Sequence, residues 1–271
     1  MTPLFTLDTV VQNAAVFLLV FARTLALVLT VPLLSGRTVP GVAKIALAGY
    51  IAFLIFPQAI PNLPAAYGRY GAFNLAYLLF MLGEGAIGVI TGLFVSIIFA
   101  AFSSAGQFFS FQTGLGASEV YDTLSQVENP LMGQFLNLMA MCLFLQVQGF
   151  QRLFLGGTLR SWQSLNVGVL VNQRDSFYRF LLSGLSNLFF DALVIALPVM
   201  GVLFLVSLTM GLLSKAAPQM NLLSEGLPIT ILTAFFILTW LLPSLCEFFV
   251  ASFDRAFMRL EQLFAAVGGI P

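Results

Sequence analysis

Histidine is absent from the 271-residue chain. Its absence removes imidazole metal ligands, histidine-dependent catalytic triads and the side chain most used to move protons near neutral pH. Charge is scarce too: only 8% of residues are Asp, Glu, Lys or Arg, too few to coat a soluble globule. The 11 basic and 11 acidic residues cancel, so the charge balance recruits neither nucleic acid nor a strongly acidic partner. Cys142 and Cys246 both lie in apolar runs; they form no disulfide framework and read as small buried hydrophobes. There is no HExxH, no GxSxG elbow and no nucleotide-binding P-loop, which leaves the common catalytic signatures missing. Asp8 precedes the first basic residue, Arg23. That is the wrong charge for the leading region of a cleavable signal peptide, and the first apolar segment is expected to be retained.

What is present is apolar. Hydrophobic residues make up 59% of the chain, 29 of them phenylalanine, and the mean hydropathy is +0.99. The composition predicts an all-α, polytopic integral membrane protein, since a helix of about 20 apolar residues crosses a hydrocarbon core of about 30 Å. About six apolar segments appear, at 10–34, 42–56, 72–111, 131–155, 177–213 and 222–250. The third and fifth approach about 40 residues, or about 60 Å as helix, roughly twice the bilayer core. Each is either one helix that leaves the bilayer into an assembly or a helix broken near its glycines and polar residues. Between the third and fourth segments lies the most acidic stretch, 114–130, with Glu119, Asp122 and Glu128. Beyond the fourth comes a basic loop with Arg152, Arg160, Arg174 and Arg179 in or beside it, and an amphipathic tail is expected at 254–264. In a six-span count, Arg69, Arg152, Arg160, Arg174, Arg179, Arg255 and Arg259 fall on the side of both termini, against Arg37, Lys44 and Lys215 on the other. The positive-inside rule then puts both termini in the cytoplasm.

Charges inside the apolar runs require an explanation, because each costs about 2.5 to 3.5 kcal/mol at bilayer depth and marks a functional or paired site. Arg23 lies near the middle of the first segment, and Glu84, Asp191 and Glu247 lie deep in later ones. Arg23 is either a lining or subunit-contact residue or one half of an ion pair with Glu84 or Asp191, the less costly arrangement in an isolated chain. A secondary transporter for a small solute would use Arg23, Glu84 and Asp191 as binding or coupling groups, but the repeat that typically relates the halves of such proteins is not found. Gly83, Gly85, Gly88 and Gly92 have the spacing that lets a helix approach closely, within the chain or from a partner. The run FFSF at 108–111 reads as core or lipid-facing, with a pore seal as the sharper alternative. No metal or cofactor site is expected.

Four stretches together resemble the FliR family of flagellar biosynthesis proteins, whose injectisome counterparts are called SctT. ARTLALVLTVPLLSGRTVPGVAKIALA at 22–48 is similar to the family's N-terminal signature. GLGASEVYDTLSQVENPLMGQFLNLMAMCLFLQVQG at 114–149 resembles its central loop and following helix. ALPVMGVLFLVSLTMGLLSKAAPQMNLLSEGLPI at 196–229 resembles its C-terminal hallmark, and LLPSLCEFFVASF its last helix. One departure is that Phe150 and Gln151 stand where the family often has a histidine or two. Nothing like the cytoplasmic domain of FlhB follows the last segment, so an unfused form is expected.

The resemblance implies a non-enzymatic subunit of a type III protein export gate, multi-pass in the bacterial inner membrane at the flagellar basal body, the pattern leaning to the flagellar branch. It implies FliP-like and FliQ-like partners in a helical channel, FlhB-like and FlhA-like export proteins nearby, exported flagellar proteins as substrates, and surrounding membrane lipid. It implies long, bent helical hairpins: a FliP-like portion over 1–175 with a plug loop at 114–126, and a FliQ-like hairpin over 176–271 with its tip near 214–221. On that mapping Gly114, Leu115, Gly116, Glu119 and Asp122 belong to the pore plug. Lys215, Pro218, Gln219 and Asn221 belong to the tip at the entrance, where Pro218 breaks the helix. Arg23, Arg37, Lys44, Glu84 and Asp191 are the charges expected to matter for assembly. With no ATPase signature in the chain, energy for export is expected from partners or the membrane gradient.

Overall fold

The computed structural model describes residues 13–36, 39–62, 74–114, 131–217 and 222–268. Among them every regular element is helical: α1 (Ala14–Thr30), α2 (Pro32–Ser35), α3 (Gly41–Ala59), a 3₁₀ turn (Ile60–Asn62), α4 (Leu75–Thr113), α5 (Leu131–Gln146), α6 (Gly149–Gln151), a π-helical segment (Arg152–Leu159), α7 (Arg160–Ser164), α8 (Val167–Asn172), α9 (Arg174–Ala216) and α10 (Leu222–Gly268). An all-helical backbone satisfies its own amides, as lipid requires. By length and apolarity α3, α4, α9 and α10 can each cross a membrane, and α5 with the helical run after it counts as a fifth span bent by 70°. The sixth apolar stretch is α1, shorter at 17 residues.

The overlong third and fifth segments form single helices rather than broken ones: α4 and α9 run unbroken for 39 and 43 residues, and α10, over the sixth stretch, for 47. Pro198, Pro228 and Pro243 sit inside α9 and α10 without ending them. One expectation needs correction: the basic loop after the fourth segment is helical. The amphipathic tail forms the last turns of α10. In both places polar residues fall on one side of a continuing helix, and polarity alone does not interrupt hydrogen bonding. Where the chain does break, the cause is local. Val31 is extended (φ −70°, ψ 128°) ahead of Pro32, as the residue before proline must be. The bend after α5 turns on Gln148 in the left-handed region (φ 55°).

The helices divide into two compact units by contact. One comprises Met1–Ile97, Gln148–Gly184 and Asp254–Pro271, the other Ile98–Val147 and Leu185–Phe253. Each unit draws residues from both sides of position 175. In the first, Leu19, Val20 and Val28 of α1 pack on Ala48, Ile51, Ala52, Ile55 and Phe56 of α3, and the Tyr77 hydroxyl donates to the Ala15 carbonyl at 2.7 Å. In the second, Phe99 and Phe102 of α4 meet Phe144 of α5 and Phe249 and Phe253 of α10, with ring centroids 4.1 to 5.5 Å apart. Lipid tails are as apolar as these cores, so close fit rather than escape from water holds the helices together. Glycine makes the fit possible: a Cβ on Gly106 would collide with the backbone of Gly133, joining α4 to α5.

Candidate functional site

In the first unit α1 and α4 approach until a Cβ on Gly88 would strike the carbonyl of Arg23, and one on Gly92 would meet Thr30. Gly83 serves Val167 in the same way, while Gly85 faces open space. The glycine stripe is thus used mostly inside the chain. The close approach carries Arg23 into the interior, where it is 1% exposed and Glu84 is not exposed at all.

Arg23 Nε donates to Glu84 Oε2 at 2.6 Å, and Nη2 pairs with the same oxygen. Nη1 donates to Ser161 Oγ at 3.0 Å and Nη2 to the Leu165 carbonyl at 3.0 Å. Ser161 Oγ in turn donates to the Thr158 carbonyl at 2.6 Å. The guanidinium carbon lies 3.7 Å from the centre of the Trp162 ring, a cation–π contact that desolvation strengthens. Of the two acids the sequence offers to Arg23, Glu84 is the one it meets. This network joins α1, α4 and the helical run 152–164, and its groups are occupied with one another. The Trp162 indole N–H is buried without a hydrogen-bond partner among the described residues.

The remaining predicted residues are dispersed. Asp191 lies in the second unit and accepts from Ser252 Oγ at 3.0 Å. Lys44 Nζ donates to the Ser35 and Gly36 carbonyls at 2.9 and 3.0 Å, closing the end of α2. Gly114 ends α4 with φ 77°, a conformation that glycine adopts without strain. Lys215 is exposed in the last turn of α9. Arg37, Leu115, Gly116, Glu119, Asp122, Pro218, Gln219 and Asn221 lie outside the described residues. Of the FFSF run, Phe109 is buried and Phe111 is 73% exposed. Among the described residues no three His, Cys, Asp or Glu side chains gather as metal ligands would.

A second feature of the first unit escaped sequence reasoning. Arg152 pairs with Asp254, and Arg160 with Glu261 at 2.6 Å, all four about half exposed. These pairs link the π-helical segment and α7 to the last turns of α10, beside an open cleft of about 920 Å³ that also holds Gln148, Gln151 and Gln163. The available signal was spacing: Arg152 and Arg160, like Asp254 and Glu261, are about two turns apart, so each pair shares one helix face.

Comparison with known proteins covers most of the chain. Residues 14–256 match the family model described as bacterial export proteins, family 1. The chain is 30% identical over 264 residues to the flagellar biosynthetic protein FliR of Bacillus subtilis (strain 168), spanning 97% of this chain and 99% of that protein. It is 29% identical over 241 residues to FliR of Escherichia coli (strain K12), 89% of each. Its identity to the surface presentation of antigens protein SpaR of Salmonella typhimurium is 28% over 225 residues, 83% of this chain and 81% of that protein.

Proposed function

The chain belongs to the bacterial export protein family of FliR and SctT, and from that membership we propose that it is a non-enzymatic subunit of the flagellar type III protein export gate. With FliP-like and FliQ-like proteins it forms the channel that passes unfolded flagellar proteins across the inner membrane at the basal body, with FlhA-like and FlhB-like proteins alongside. The end-to-end correspondence with Bacillus subtilis FliR carries this reading. The helix lengths support it. At about 1.5 Å per residue, α4, α9 and α10 are about 58 to 70 Å long, and helical surface beyond a core of about 30 Å calls for protein cover.

Within that reading the segment 114–126 closes the pore from inside, held by contacts weak enough for an arriving chain to displace. The polar residues Lys215, Pro218, Gln219 and Asn221 line the entrance. Deleting 118–123 is expected to make membranes leaky to ions while the complex still assembles; unchanged permeability would remove the plug role. Arg23 and Glu84 hold the subunit together for assembly rather than binding a solute, since the guanidinium is engaged by Glu84, Ser161 and the Leu165 carbonyl.

The test is to purify the tagged chain in mild detergent from cells co-expressing the FliP-like and FliQ-like proteins of the same genome and to weigh the particle by native mass spectrometry. A discrete particle containing all three is expected. A folded, partner-free monomer would overturn the reading.

A further inference from the structure

Three acids sit deep in apolar helices, and among the described residues two of them have partners. Glu84 has Arg23 and Asp191 has Ser252. Glu247 is exposed on α10 and has no hydrogen-bond or ion-pair partner among the described residues. The nearest charged residues along the helix are Glu225 and Asp254, about 33 Å and about 10 Å away at helical rise. Residues 236, 240, 244, 247 and 251 lie within an arc of about 80° on the helix, and all five are exposed, Phe236 at 75% and Trp240 at 79%. Two further polar groups on this stripe are open: the Ser244 hydroxyl and the Trp240 indole N–H have no partner among the described residues. Thr230 and Thr239 on the same helix instead turn their hydroxyls back onto the Leu227 and Phe235 carbonyls. Pro243, also exposed, lacks the amide that would close the helix onto the Thr239 carbonyl.

We propose that this stripe of α10 seats an apolar transmembrane helix of a different gate subunit, whose lysine or arginine pairs with Glu247 while its polar groups meet Ser244 and Trp240. Lipid tails can satisfy neither a carboxylate nor an indole N–H. A second copy packed by the same face about a two-fold axis would set two Glu247 carboxylates together. A cationic helix answers the charge, and Phe236 and Trp240 give it an apolar, aromatic bed with the open polar groups between them, the composition of an interface core. The proposal rests on the export-gate reading for the existence of a partner, and adds the face and the chemistry that hold it.

The co-expressed complex carrying Glu247→Gln or Glu247→Lys is weighed by native mass spectrometry, and the isolated variant chain is melted in the same detergent. With Glu247→Gln the ratio of complete to incomplete particles is expected to fall about 30-fold, as truncating one side of a desolvated charge pair does. Glu247→Lys should be worse and recover when a Lys or Arg in the partner's helix becomes Glu. Melting of the isolated chain should not move, because Glu247 touches no charged group among the described residues. Equal loss of stability in the isolated chain would overturn the proposal. So would reaction of Glu247→Cys with a water-soluble thiol reagent in the intact particle, Cys142 and Cys246 having been replaced by Ala, because that result makes the stripe water-lined. A complete wild-type particle indifferent to both substitutions sinks this proposal alone, whereas a wild-type chain that forms no particle sinks the export-gate reading as well.

Discussion

Replacing both Arg23 and Glu84 should harm the chain less than replacing either one. Glu84→Leu leaves the Arg23 guanidinium buried with its charge unanswered, a loss of about 3 to 5 kcal/mol. Arg23→Met strands the Glu84 carboxylate at a similar cost. The double variant Arg23→Met with Glu84→Leu buries no charge. Among its remaining defects are the Leu165 carbonyl, which loses its donor at about 1 to 3 kcal/mol, and the stack on Trp162, partly replaced by the sulfur–aromatic contact of methionine. Ser161 keeps its bond to the Thr158 carbonyl throughout. The two single losses would sum to about 6 to 10 kcal/mol if independent, while the double variant should lose about 1 to 3 kcal/mol. Unfolding by SDS titration from mild detergent, followed by tryptophan fluorescence, measures all four corners of this cycle. Trp162 touches the network and so reports on it directly. Additive losses, or a Glu84→Leu protein as stable as wild type, would refute the claim that each charge of the pair offsets the burial of the other.

Gly88→Val should destabilise the chain by about 1 to 3 kcal/mol by overpacking, because its side chain meets the Arg23 carbonyl, whereas Gly85→Val, with no atom within 4 Å, should be tolerated; the two melting curves decide. Gly106→Val should match Gly88→Val, here by forcing α4 from α5 at Gly133. Breaking the half-exposed Arg160–Glu261 pair with Arg160→Ala should cost no more than about 1 kcal/mol, and the cost should shrink between about 0.1 M and about 1 M salt as screening tightens; a loss insensitive to salt would assign Arg160 a packing role instead.

The six apolar stretches were legible because lipid imposes one rule on the whole length of a helix. Helix ends were less legible where the cause is polarity rather than geometry. Proline ahead of α2 fixes Val31 through sterics and can be read from sequence, but Arg152, Arg160, Asp254 and Glu261 look like loop and tail until their spacing is matched between two helices 101 residues or more apart. The partner of Arg23 was legible only as a choice between two acids. Distance settles it: Gly88 and Gly92 bring α1 against α4, and Glu84 lies one turn from Gly88. Asp191, in the other unit, has Ser252 instead. The glycine stripe was likewise ambiguous, because small residues permit close approach without saying by what; Arg23, Thr30 and Val167 turn out to be the neighbours of three of the four.

The same comparison sorts the polar groups of the spans by whom they serve. Arg23, Glu84, Ser161, Lys44 and Asp191 find oxygens or donors within the chain, and the structure around them is closed. Glu247, Ser244 and Trp240 find none among the described residues, and they share one side of one helix. In water that difference would carry little meaning, since solvent satisfies whatever the chain does not. At bilayer depth there is no such solvent, and a group left open by its own fold must be met by another molecule or by a water-filled space. Exposed leucine and phenylalanine on α9 and α10 cannot make the same distinction, because lipid and a partner helix suit them equally. The open polar groups are therefore the more informative markers of where this subunit ends and its neighbour begins.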